Sequence, residues 1–262
     1  MDTLLFIHGW ATDGFVWADA ADELGGGRNV INLDLPGHGG AGKWDSPTLA
    51  PAVREVAVSV SALPERSVIG VGWSLGAEVL LASLQELGEK FKEMVLVGAT
   101  PCFVGKEDFP SGQNRALVKR MILDMKKDPA ATVERFYGLN FTAPELGSVA
   151  AKRLMERYRY PGPVECAGPV PGCFPLFDYE GITTALEALY ATDLRALLGG
   201  IDIPTLVVHG GKDGVTPVGA GEYLAGNIKG ARLQVFKEAG HAPFVTEPQR
   251  FNDVMKNFLG KT

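Results

Sequence analysis

Ser67-Val68-Ile69-Gly70-Val71-Gly72-Trp73-Ser74-Leu75-Gly76-Ala77-Glu78-Val79-Leu80-Leu81-Ala82 is the stretch whose reading decides the fold. Its first five residues are an apolar run and predict a buried strand. From Leu75 the pattern turns helical, and that helix is expected to stop near Gly88. Between the two lies Gly72-Trp73-Ser74-Leu75-Gly76. A Gly-x-Ser-x-Gly set between strand and helix is a strained turn that presents a serine hydroxyl at the top of a sheet. The motif alone is common in a chain with 33 glycines. Its context gives it weight, and the next question is whether the chain supplies a base, an orienting acid and an oxyanion site.

Working outward, apolar runs at Leu4–Ile7, Asn29–Leu33, Met94–Gly98, Thr205–His209 and Arg232–Phe236 predict five further strands. Helical patterns lie between several of them. Residues 48–62 carry Val53, Val56, Ala57 and Val60 on one stripe. Residues 248–259 start at Pro248 and carry Phe251, Val254, Met255 and Phe258. Near-continuous apolar strands alternating with helices predict an α/β fold, a mostly parallel sheet of about six strands covered on both faces.

About a hundred residues between the fourth and fifth strands have no strand character. Asp128 and Pro129 begin a helix expected to reach about Phe141. Another is expected over 144–159, a Pro- and Gly-rich loop over 160–176, and a return to helix over 178–198, with Thr192 or Asp193 as a second start. This predicts a core of residues 1–101 and 204–262 with a helical cap of residues 102–203 inserted into it.

Composition narrows the function. The 262 residues carry a net charge of −6, which argues against general nucleic-acid binding. No apolar run approaches the ~20 residues of a membrane span. The Met-Asp-Thr start runs at once into a strand, so no signal peptide is expected and a cytoplasmic location is. Cys102, Cys166 and Cys173 are expected as reduced thiols, although Cys166 and Cys173 can pair in principle. No Cys/His cluster has metal-ligand spacing.

A serine needs a base, and the chain has four histidines: His8, His38, His209 and His241. His241 follows the last strand, in a loop at the carboxyl edge of the sheet, where ligands bind in such folds. Asp213, in Gly211-Lys212-Asp213-Gly214 beyond the fifth strand, is the expected orienting acid, with Asp34 as the alternative. The order Ser74, Asp213, His241 suits a hydrolase of this architecture. The oxyanion donors are expected from the backbone of Leu75, at a helix N-terminus, and of Trp10, in the loop after the first strand. His38 is expected to shape a turn, His8 to anchor the oxyanion loop, and His209 to be buried at a strand end.

Together these residues resemble the α/β-hydrolase superfamily over essentially the whole chain. The carriers are His8-Gly9-Trp10, Asp34-Leu35-Pro36-Gly37-His38-Gly39, Gly72-Trp73-Ser74-Leu75-Gly76, Gly211-Lys212-Asp213 and Gly240-His241. More narrowly, Trp73, Thr100-Pro101-Cys102-Phe103, Thr132-Val133-Glu134-Arg135-Phe136 and His241-Ala242-Pro243-Phe244 are similar to the family of biotin-synthesis carboxylesterases that demethylate pimeloyl-carrier-protein methyl ester. The resemblance implies a substrate pocket from Trp10, Ser74, Leu75, the cap segment Phe136, Tyr137, Gly138, Leu139 and Asn140, and His241. Phe136, Leu139 and Asn140, at i, i+3 and i+4, are expected to share one helix face flanking the acyl chain. The chain departs from the family in starting directly on the oxyanion strand, in Asn140 where glutamine is expected, and in Ala77 where a second glycine often follows.

The expected chemistry is ester hydrolysis through an acyl-enzyme, without metal or organic cofactor. Residues 115–160 hold ten Lys and Arg against five acids. That basic cap suggests docking of an acidic acyl carrier protein through Arg115, Lys119, Arg135, Arg153, Arg157 and Arg159. A general carboxylesterase or lactonase shares the triad, and a non-catalytic receptor shares the fold.

Overall fold

The computed structural model describes residues 1–159 and 177–260. Six strands form one parallel sheet: β1 (Thr3–Ile7), β2 (Asn29–Leu33), β3 (Val68–Trp73), β4 (Phe91–Val97), β5 (Thr205–Gly210) and β6 (Arg232–Phe236), in the order β2-β1-β3-β4-β5-β6. The four inner strands are almost wholly buried, which is why they are apolar without alternation. The edge strands β2 and β6 bury only their last residues, Leu33 and Phe236, and carry Asn or Arg and Gln at the open positions. Parallel registers pair Ile7 with Gly72, Trp73 with Val97, and Val97 with Val208. The strands therefore end level, and the loops that follow them share one edge.

Helices α1 (Ala18–Leu24), α2 (Ala50–Val60) and α3 (Leu75–Leu87) come from the first half of the chain. Between β4 and β5 lie α4 (Arg115–Lys127), α5 (Pro129–Leu139), α6 (Ala143–Leu146), α7 (Val149–Tyr158) and α8 (Tyr179–Ala191), then a 3-10 turn over Arg195–Gly200. Helices α9 (Val218–Asn227), α10 (Pro243–Thr246) and α11 (Pro248–Leu259) complete the chain. The single helix expected over 144–159 is two. Ser148 caps α7 with its side chain, and Thr142 with Glu145 forms a capping box on α6, so each has its own start. The 178–198 helix ends at Ala191, and the second start signal opens only the 3-10 turn. Helices α1, α4 and α9 were not singled out by the sequence pattern.

The core continues beneath the catalytic edge as an aromatic stack. Trp17 lies on Phe244 at 4.1 Å between ring centroids, and Phe244 meets Trp73 edge-on at 5.2 Å. Cys102 is a buried free thiol; Cys166, Cys173 and the loop expected over 160–176 lie outside the described residues. Among the described residues, no helix is long and apolar enough to cross a membrane.

Candidate active site

Ser74 sits between β3 and α3 with φ 53° and ψ −116°. For a residue with a Cβ this conformation costs roughly 1–3 kcal/mol, held by the surrounding structure. The serine N–H donates to Val97 O at 2.9 Å, and its carbonyl accepts from Ala77 N–H at 2.9 Å to start the helix. Gly76 is required next to it. A Cβ there would lie 2.4 Å from Ile7 O, because the helix enters hard against β1. Leu75 N–H is the first free donor of α3, where the helix dipole favours negative charge.

Asp213 follows β5 and is fully buried. Its Oδ1 accepts from the N–H groups of Val215 and Thr216, both at 2.8 Å. Its Oδ2 faces His241 Nδ1 at 2.7 Å, Thr216 Oγ1 at 2.9 Å and His209 Nε2 at 3.4 Å. Burial alone would raise this carboxyl, but the facing His241 and His209 rings outweigh it and hold it well below the usual carboxylate range.

His241 Nδ1 must carry the proton to donate to that carboxylate. Nε2 is then bare, and it has no hydrogen-bond partner among the described residues. The ring lies over the adjoining ends of β3 and β4: its centroid is 5.4 Å from that of Trp73, and a Cβ on Gly98 would be 2.9 Å from His241 Nδ1. The loop is fixed from three sides. Trp73 Nε1 donates to His241 O at 2.9 Å, His241 N–H donates to Asn140 O at 2.8 Å, and Gly240 N–H donates to Glu145 Oε2 at 2.9 Å.

Trp10 is buried. Its indole N–H donates to Ile182 O at 2.6 Å, and its ring meets Phe136 edge-on at 4.8 Å. His8 Nδ1 donates to Gly9 O at 2.8 Å and Nε2 accepts from Leu35 N–H at 2.9 Å, so this histidine ties the first two strand-end loops together. Burial pushes His8 down to about 4 and His38 down to about 3, the latter helped by the His8 ring 5.0 Å away. Both are neutral spacers. His209 is buried, and its Nε2 donates to Thr216 O at 2.7 Å. Asp34, the alternative acid, accepts from Gly14 N–H at 2.6 Å and makes no contact with His241 among the described residues. The geometry therefore favours Asp213.

A cavity of about 270 Å³ lies between α4, α5 and the Asp213 loop, with Phe103, Val118, Met121, Phe136, Leu139 and Val215 on its wall. A larger one, about 370 Å³, opens between Arg66, Gln85 and Ile201. Arg66 and Ile203 lie just before β3 and β5, at the opposite end of the sheet, whereas Gly214 and Val215 of the smaller cavity adjoin Asp213. The single helix face expected of Phe136, Leu139 and Asn140 is split. Phe136 and Leu139 line the cavity, whereas Asn140 ends the helix and turns its amide back on Phe136 O and Tyr137 O. Tyr137 points to Ala11, and Gly138 is not on the cavity wall.

Five of the ten Lys and Arg of residues 115–160 make ion pairs among the described residues. Arg157 pairs with buried Asp13 at 2.9 Å, Arg159 with Glu134 at 3.1 Å, and Arg135 with Asp124 at 3.7 Å. Arg115 lies over the Tyr190 ring at 5.1 Å. Of the six residues expected to dock a carrier, Arg115, Lys119 and Arg153 are exposed and make no ion pair among the described residues. Sequence reasoning missed Thr216, Glu145 and the contact of His209 with the acid. The Thr142-x-x-Glu145 spacing was the one available signal, and it reports only the helix cap.

Residues 4–254 match the alpha/beta hydrolase family. A protein of Nitrosomonas europaea named pimeloyl-acyl-carrier-protein methyl ester esterase is 30% identical over 248 residues, covering 95% of this chain and 92% of that one. One of the same name from Chromobacterium violaceum is 32% identical over 252 residues, covering 95% and 90%. Among solved structures, an esterase from Exiguobacterium antarcticum superposes with a TM-score of 0.85 at 24% identity, over 99% of this chain and 92% of that one. The enol-lactonase of Burkholderia xenovorans LB400 gives 0.82 at 20% identity, over 99% and 91%. The chain belongs to the alpha/beta hydrolase family and, within it, to the family of the pimeloyl-acyl-carrier-protein methyl ester esterases.

Proposed function

We propose that this carboxylic ester hydrolase cleaves the methyl ester of an acyl chain, through Ser74, His241 and Asp213, and that its substrate is pimeloyl-acyl-carrier-protein methyl ester in biotin synthesis. The observation that carries the reading is the 2.7 Å contact of Asp213 with His241 Nδ1, which leaves Nε2 without a partner on a ring 5.4 Å from that of Trp73, the residue before Ser74. His241 Nε2 takes the Ser74 proton as Oγ attacks the ester carbonyl. The N–H groups of Trp10 and Leu75 hold the oxyanion. Collapse of the tetrahedral intermediate breaks the C–O bond, and methanol leaves with the proton from His241. Water then attacks the acyl-enzyme by the same route, giving the free acid and restoring Ser74. Asp213 holds the tautomer and stabilises the imidazolium.

The core of residues 1–101 and 204–262 supplies the reacting groups in this reading, and the cap of residues 102–203 supplies the acyl cavity. The reading goes with a cytoplasmic location. Support for the substrate comes from the relatives' names. A second reading, an esterase for small free esters, is favoured by the internal pairing of Arg135, Arg157 and Arg159, which removes three of the six residues expected to dock a carrier from free positive charge. Complementation of a biotin-requiring strain lacking its demethylating esterase separates the two. Growth with the wild-type chain and none with Ser74→Ala supports the carrier-linked substrate. Turnover of p-nitrophenyl butyrate without complementation supports the second reading.

A further inference from the structure

The loop after β1 is held by the cap at three of four successive positions. Trp10 donates through its indole to Ile182 O of α8 at 2.6 Å. Ala11 O accepts from the Tyr137 hydroxyl of α5 at 2.5 Å. Asp13 accepts from the Tyr158 hydroxyl at 2.6 Å and from Arg157 at 2.9 Å, both of α7. Thr12, between them, bonds to Gly9 O of the same loop. Ala11 has φ 55°, a left-handed conformation that a residue with a Cβ leaves unless something retains it. The Tyr137 hydroxyl is the side chain that holds its carbonyl.

We infer that Tyr137 is a positioning residue: its hydroxyl fixes the left-handed turn at Ala11 and thereby aims the preceding Trp10 N–H at the oxyanion. The phenol is buried and directed away from the 270 Å³ cavity, so it has no part in lining the acyl chain. Its ring neighbour Phe136 braces Trp10 from the same helix, so α5 grips both residues of the turn. The oxyanion site is thus assembled across the boundary between core and cap. This inference rests on the assignment of Trp10 N–H as an oxyanion donor.

The test is Tyr137→Phe, which keeps the ring and removes the bond. Active sites are titrated with diethyl p-nitrophenyl phosphate, kcat and KM are measured on p-nitrophenyl butyrate, and affinity is measured for a trifluoromethyl ketone that forms a tetrahedral adduct. The expected result is a fall in kcat of about 10- to 30-fold, KM within about twofold, and a parallel loss of ketone affinity. Tyr158→Phe, which loosens Asp13 instead, is expected to show the same pattern at about threefold and serves if Tyr137→Phe does not fold. Unchanged kcat and ketone affinity per titrated site would overturn the inference, as would a fall in kcat with ketone affinity intact. Ser74→Ala separates the levels. If it retains turnover, the serine mechanism itself fails. If it is inactive while Tyr137→Phe behaves as wild type, only the positioning role fails.

Discussion

The Asp213 loop and the cap both concentrate charge, and they use it in opposite ways. Around Asp213 a single carboxylate gathers two backbone N–H groups, a hydroxyl and two imidazoles in a buried site, where each contact is strong and directional. On the cap, charges are numerous and mostly exposed, and where they pair each pair contributes little, about 0–1 kcal/mol. The comparison teaches that charge count is a poor guide to function. One solvent-excluded acid faces two imidazoles, while five of ten basic residues are taken up by ion pairs with neighbouring acids.

The sharpest break of this comparison is removal of the reacting groups. Ser74→Ala or His241→Gln is expected to lower kcat on p-nitrophenyl butyrate by about 10⁴-fold or more with little change in thermal midpoint, and Asp213→Asn by about 10⁴-fold. Steady-state rates normalised to folded protein check this. A loss under tenfold would show that charge around Asp213 serves stability alone. Next comes Glu145, the cap residue that behaves like a core one. Its carboxylate accepts from Gly240 N–H, Thr142 N–H and Thr246 Oγ1. Glu145→Ala should lower stability by about 2–3 kcal/mol and kcat by about tenfold through a loosened His241 loop, read by urea unfolding and initial rates.

The buried histidines give a third test. His8 and His38 have folded pKa values of about 4 and about 3, below the ordinary 6.5, so the unfolded chain binds their protons first. Their contribution to stability is present above pH 6.5 and is lost as pH falls towards 4. Each contributes a slope of about 1.4 kcal/mol per pH unit in that window. Glu78 has the opposite sign: burial raises its carboxyl, so its contribution is lost as pH rises. Comparing wild type with His38→Gln removes that background. The variant's unfolding free energy should be flatter between pH 4 and 6 by about that slope. The smallest effect is expected on the cap surface. Lys119→Glu with Arg153→Glu should raise KM about threefold for a carrier-linked ester and leave a small ester unchanged. Arg157 is unsuited to that test, because losing it unpairs buried Asp13.

The core was legible because its signals are local. Ser74 directly follows β3, Asp213 lies three residues past β5 and His241 five past β6, each in a short motif, so these proposed reacting residues can be picked out from the strand pattern, and the sheet with them. The contacts that hold them in place were not legible. His209 reads as a strand residue, Thr216 as part of a turn, and Glu145 as a cap for a four-residue helix. Glu145 reaches Gly240, 95 positions away, and His209 and Thr216 lie within four positions of Asp213 but meet it only through the fold of its loop. In the cap, the pattern of α5 gave the helix but not which way Tyr137 and Asn140 turn, since both were packed by loops the periodicity does not describe. The charge excess of residues 115–160 was correctly counted and incompletely read, because the count does not show which partner each guanidinium takes.

The saturation of Asp213 has a consequence for chemical substitution. Glutamate bears the same charge and is longer by one methylene. At Asp213 the head group would have to retreat from both amides to stay against the imidazole, or stay with the amides and collide with it. A homologous acid is therefore excluded by length alone, and this loop admits one carboxylate, aspartate.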